Sequence, residues 1–110
     1  MHVGTIYIRG TGGDYNSPTF PRGGLSATFV IEVFMLSGSS PTFECEVEHK
    51  SAEDTVFTSA GSFTSMTTAA VHKFDAVALK EQIRLVFSVG GASATNMVYA
   101  NVLAPIWRPY

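Results

Sequence analysis

The sequence predicts an all-β fold: a single-domain β-sandwich or jelly-roll-like barrel of about seven short antiparallel strands. Three observations predict it. Helix signals are nearly absent. β-branched and aromatic residues alternate with polar ones over short runs. Gly, Ser, Thr and Pro punctuate those runs at turn-like spacing. With 110 residues the chain has room for one domain, 1–110, with a core large enough to fold alone.

In chain order, strands are expected near Thr5–Arg9, Ala27–Leu36, Thr42–His49, Val56–Ser59, Ser65–Phe74, Gln82–Val89 and Met97–Ala104. Asp75 to Glu81 is the one stretch able to form a turn of helix. In the third strand Phe43, Cys45 and Val47 share one face, and Glu44, Glu46 and Glu48 share the other, which marks a half-buried strand. In the sixth, Ile83, Leu85, Phe87 and Val89 point one way, against Gln82, Arg84 and Ser88. The second strand is apolar on both faces except at Glu32, so it should be central, its second face covered by another element or another subunit. Phe29, Phe34, Phe43, Phe57, Phe63, Phe74 and Phe87 are expected in the core.

Two segments fall outside this pattern. Gly10 to Gly24 carries five glycines and two prolines, and it predicts a long functional loop (10–24). The C-terminal tail, 104–110, holds the single tryptophan, Trp107, between Pro105 and Pro109, which forbid a regular central strand there. An aromatic tail with an arginine has the composition of an interface anchor. The other reading, that Trp107 folds back onto its own domain, stands beside it.

Charge and motifs exclude several classes. The seven basic residues, Arg9, Arg22, Lys50, Lys73, Lys80, Arg84 and Arg108, are scattered, and the formal charge is -2. That pattern argues against nucleic acid, whose binding needs a basic stripe. Phe29 to Leu36, the longest apolar run, is too short to span a bilayer. The start, Met1-His2-Val3-Gly4-Thr5, shows no secretory signal, and the lone Cys45 suits a reducing compartment, so the chain reads as soluble and cytosolic at birth. Gly12-Gly13 and Gly23-Gly24 lack the Lys-Ser/Thr of a phosphate-binding loop. Cys45 and His49 share a strand face but stand about 13 Å apart, too far for a nucleophile and its base. Glu44, Glu46 and Glu48, with Glu53 and Asp54 nearby, read as a solvated face before they read as a calcium site. No catalytic residue, metal ligand or cofactor site is expected. Tyr7, Tyr15, Phe20, Tyr99, Trp107 and Tyr110 are the candidates for a sugar-stacking platform.

The segment Phe43-Glu44-Cys45-Glu46-Val47-Glu48-His49-Lys50, its acidic turn, Val56-Phe57, Gly61-Ser62-Phe63 and then Leu79 to Gly91 resemble small virion proteins of tailed bacteriophages, similar to capsid decoration (cement) proteins. The resemblance covers roughly Thr42 to Gly91, about half of the chain, and Met1 to Gly24 lies outside it. It implies a β-sandwich on the capsid surface, often a trimer, clamping neighbouring copies of the major capsid protein. Interface chemistry and position single out Tyr15, Phe20, Arg22, Trp107, Arg108 and Tyr110 for those contacts. A tail or head-fibre component is the alternative within that class. A carbohydrate-binding β-sandwich is the alternative outside it.

Overall fold

The computed structural model describes residues 4–9, 14–91 and 96–109. These form ten strands: β1 (Gly4–Arg9), β2 (Asp14–Asn16), β3 (Phe20–Pro21), β4 (Ser26–Ser37), β5 (Thr42–Lys50), β6 (Thr58–Ser62), β7 (Val71–Ala76), β8 (Gln82–Gly90), β9 (Met97–Val102) and β10 (Ile106–Arg108). All pairings are antiparallel and build two five-stranded sheets. The expected all-β sandwich is what the chain forms.

In sheet A, Ala27 and Thr28 of β4 pair with β10 and β7 at once, and Ile31 and Glu32 pair with β9 and β7 at once. Strands β9 and β10 therefore follow one another along one edge of β4, and β7 holds the other. β1 closes the sheet beyond β9. In sheet B, β5 lies between β6 and β8, and β2 and β3 lie in succession along the far edge of β8. Taking β2 and β3 as one broken strand, the pairs β1–β9, β2/β3–β8, β4–β7 and β5–β6 are nested inside one another. That nesting is the jelly roll.

The alternation read from the sequence positions the core. Phe43, Cys45 and Val47 of β5, Ile83, Leu85, Phe87 and Val89 of β8, and Ala27, Phe29, Ile31 and Val33 of β4 are all buried between the sheets. Phe43 and Phe87, on neighbouring strands, stack with their rings 5.9 Å apart.

Several expectations are corrected. The 10–24 loop contributes β2 and β3, because three and two residues suffice to extend the ladder of β8 while Pro18 breaks the strand between them. The tail contributes β10, a three-residue strand fitted between Pro105 and Pro109. No helix occurs among the described residues: Ala78 adopts φ 53° within the link after β7. The fourth expected strand begins later, at Thr58, and the fifth at Val71, with Met66 forming only an isolated bridge to Phe43.

Two polar devices fasten the loops. Asn96, fully buried, accepts the Ser39 N–H at 2.8 Å and donates to the carbonyls of Ser39 and Gly90, both at 3.1 Å. It thereby ties the β4–β5 turn to the end of β8. Ser17 Oγ accepts the Leu85 N–H at 2.8 Å and holds the break between β2 and β3 against β8.

Candidate interaction surface

A β-bulge creates the most exposed apolar feature. The register of β4 against β9 shifts between Val33 and Met35. Before the bulge Val33 faces the core, and after it Leu36 pairs with the inward-facing Val98. The extra residue leaves both Phe34 and Met35 outside, 47% and 44% exposed. Phe34, expected in the core, is a surface residue: the inward side chains of β4 are Ala27, Phe29, Ile31 and Val33, so Phe34 points outward by simple alternation, and Met35 is the residue that the bulge adds to that face.

Tyr7 of β1 and Tyr99 of β9 are directly paired across the strands on this same face, and both are exposed. Their rings meet edge to face with centroids 6.4 Å apart, and Phe34 tilts against Tyr99 at 5.5 Å. Tyr7 Oη lies 3.7 Å from Met97 Sδ. At about 200 Å² per aromatic side chain, the exposed parts of these rings and Met35 offer roughly 350 Å² of apolar surface. With interplanar angles of 68° and 46° the rings do not form one flat plane.

The outer face of sheet B has opposite chemistry. Glu44, Glu46, Val86, Ser88, Ser62 and Ser65 line a shallow concavity of about 350 Å³. Glu48 accepts a hydrogen bond from Arg84 Nε at 2.7 Å, and the Arg84 guanidinium lies 4.2 Å over the Phe57 ring. Phe57, expected in the core, instead forms an apolar base for Arg84 and Lys50 on this outer face. Lys80 pairs with Asp54 at 3.7 Å, and Asp54 caps the acidic turn by accepting the Ser51 N–H. That backbone hydrogen bond is the first cause holding the Asp54 carboxyl below its usual range.

Cys45 and His49 both face inward on β5, as the alternation requires. Burial, with the Glu46 charge adding to it, pushes the Cys45 thiol far above its ordinary range and keeps it protonated. His49 Nδ1 accepts the Lys80 N–H at 3.2 Å. Burial first, and the Lys80 charge second, lower the His49 pKa. Its lone pair is committed to the backbone, so His49 serves as a structural acceptor.

The residues singled out for contacts separate. Tyr15 on β2 and Arg22 after β3 are exposed. The Arg22 guanidinium donates to the Leu79 carbonyl, tethering the segment after β3 to the β7–β8 link. Phe20 is a core residue, 2% exposed, because β3 turns it inward opposite Ile83. Trp107 is half-buried, edge-on to Phe20 at 6.5 Å and to Phe29 at 6.3 Å. Of its two readings, the fold-back onto its own domain is the one observed. A Cβ at Gly23 would stand 2.6 Å from the Trp107 ring, so the glycine pair after β3 is the seat of the tail. Arg108 donates to Thr28 Oγ1 at 2.8 Å and faces Asp75 at 3.7 Å. Tyr110 lies outside the described residues.

A second concavity, about 250 Å³, opens between the edges of the two sheets and is lined by Ile6, Tyr7, Ile8, Tyr15, Pro18 and Phe87 among others. Of the candidates for a sugar-stacking platform, Tyr7, Tyr15 and Tyr99 are exposed, Phe20 is core and Trp107 is half-buried, and Phe34 and Met35 were not among them. No model of a known protein family matches this chain, and no curated protein matches it either.

Proposed function

We propose that this chain is a structural protein of a tailed-bacteriophage particle that acts by seating its aromatic sheet face on other protein subunits, most simply as a capsid decoration protein. The single observation behind the mode of action is the patch of Tyr7, Tyr99, Phe34 and Met35, four large apolar side chains 40–55% exposed side by side. A continuous patch of this kind is a mark of association, unlike scattered single exposures. The virion setting comes from the resemblance over residues 42–91 and from the use of jelly rolls in viral shells, which is an argument by analogy of fold. The partners are the major capsid protein and further copies of the chain, on the outer surface of the capsid.

The test is to mix the protein with expanded, undecorated phage heads and sediment them. Stoichiometric co-sedimentation that is lost in a Phe34→Ser/Tyr99→Ser variant supports this reading. Absence from heads, together with retention on tails or head fibres, moves the protein to that location. Carbohydrate binding is favoured by one observation, the 250 Å³ cleft flanked by Tyr7 and Tyr15. Against it, Tyr7, Tyr99 and Phe34 are mutually inclined and offer no flat stacking plane. Retention on a glycan array without binding to heads would overturn the structural reading.

A further inference from the structure

The open strand edges of the two sheets, on β1, β7, β10, β6 and β2/β3, are not equally protected, and β10 is only three residues long between two prolines. An open strand edge presents unpaired N–H and C=O groups, and proteins blunt such edges with charges, prolines, bulges or short strands. β7 carries exposed Lys73 and Asp75. β6 is five residues long, contains Gly61 at φ 121°, and meets β5 through a register shift at Val47/Glu48. The β2/β3 edge is broken at Pro18 and ends on Pro21.

β1 has the fewest of these devices, a single charge at its last residue. Its six residues pair with β9 in one unbroken register, from Gly4 opposite Val102 to Arg9 opposite Met97. There is no proline, no bulge, and no charged residue before Arg9. Ile6 and Ile8 are turned toward the interior and Tyr7 toward solvent, 55% exposed. Among the described residues β1 pairs with β9 alone. Beside it lies the apolar cleft that Ile6, Ile8 and Phe87 help to line.

From this asymmetry we infer that β1 is the seat of a two-fold homodimer, in which β1 of a second copy pairs with it antiparallel and joins the two A sheets into one. The sequence of β1 is self-complementary in one register. Centred on Tyr7, the pairing sets Tyr7 against Tyr7, Ile6 against Ile8 and position 5 against position 9. Aromatic then meets aromatic, and aliphatic meets aliphatic. Centring one residue earlier or later shortens the paired stretch and sets Tyr7 against position 5 or position 9. Shifts that pair odd with even positions oppose inward to outward residues. A two-fold axis through this pair is perpendicular to the sheet, so it brings both aromatic faces to the same side. The two patches merge into roughly 700 Å², close to the ~800 Å² per partner of a stable protein contact, where one alone falls short. This predicts a dimeric unit in place of the trimer that the phage resemblance implies, and it does not depend on the virion reading.

The experiment is cysteine cross-linking of Tyr7→Cys, with oxidised glutathione taking up the two thiol electrons. Directly opposed residues of an antiparallel pair have Cα atoms about 4.5–5.5 Å apart, within the range that a disulfide spans. Native Cys45 is 1% exposed and stays out of the reaction. The expected result is a covalent dimer from Tyr7→Cys and none above background from Met35→Cys, which shares the face but lies two strands further in. Light scattering should give a dimer for the native chain, and Tyr7→Lys should weaken it roughly tenfold or more by opposing like charges. A native monomer at high micromolar concentration overturns the inference. So does a dimer in which Tyr7→Cys cross-links no faster than Met35→Cys. Neither result changes what the sedimentation assay with heads reports.

Discussion

The outer faces of the two sheets are built on the same alternation and end with opposite chemistry. On sheet B charged side chains are paired: Glu48 with Arg84, Arg84 with the Phe57 ring, and, in the turn after β5, Asp54 with Lys80 and the Ser51 N–H. On sheet A the register shift at Val33/Met35 sets Met35 outward beside Phe34 and two tyrosines. One outer face carries paired charges, and the other carries clustered, exposed apolar side chains. The two faces therefore differ by one inserted residue and the side chains around it, not by fold.

The comparison can be broken or sharpened by substitution. The largest effect on stability is expected where the sheets are joined, not on either face. Trp107 packs against Phe20 of sheet B and Phe29 of sheet A, so Trp107→Ala should cost about 3 kcal/mol of unfolding free energy, measured by urea denaturation. An unchanged midpoint would mean that the tail is not part of the fold. On the A face, Phe34→Ser/Tyr99→Ser should leave stability within about 1 kcal/mol while reducing subunit binding roughly a hundredfold in sedimentation. Equal losses of stability and binding would make the patch a piece of the core.

On the B face, Glu48→Ala removes the partner of a partly buried guanidinium and should cost about 1 kcal/mol without altering subunit binding. Glu44→Lys, at an exposed position of the same face, should change stability by less than about 0.5 kcal/mol. Loss of head binding in Glu44→Lys would show that sheet B also docks.

Sheet B should also make stability sensitive to acid. His49 is held neutral, with its pKa lowered by burial and by Lys80. Between its folded and unfolded values the unfolded chain binds more protons, so this contribution is present above about pH 6.5 and is lost as the pH falls below that value. Asp54, its pKa lowered chiefly by the Ser51 N–H, acts in the same direction at lower pH, below the ordinary aspartate range. Denaturation midpoints for the native chain and for His49→Gln across pH 7 to 5 check this: the substitution should flatten the slope in that window. A native profile that rises toward pH 5 would contradict the assigned environment of His49.

Much of this architecture was legible in the residues. Period-two alternation in Thr42–His49 and Gln82–Val89 named the inward side chains of β5 and β8 correctly, because a half-buried strand must alternate. Phe34 and Phe57 were misplaced for two different reasons. Phe34 falls on the outward parity of β4, and because that strand is apolar on both faces, hydrophobicity did not tell the two apart. Phe57 lies just before β6, where Lys50 and Arg84 reach over it, and no local pattern indicates a cation from another strand. The 10–24 segment looked like loop because β2 and β3 are too short to show a period. The contact residues were chosen for chemistry without geometry, which is why Phe20 proved to be core and Trp107 a closure between the sheets.

By itself, the sequence determined the class of the fold, the inward faces of its central strands, and the absence of a basic stripe or a phosphate-loop pattern, because these depend on local periodicity and residue type. Only the tertiary structure decided the jelly-roll nesting, the pairing of β10 with β4, and the Asn96 knot between Ser39 and Gly90. It also decided which strand edge is left least protected. Those features are relations between residues far apart in the chain, as when Arg108 meets Thr28 or Gly4 pairs with Val102. Whether a side chain ends up core or surface there depends on the register of a partner strand, which no local window contains.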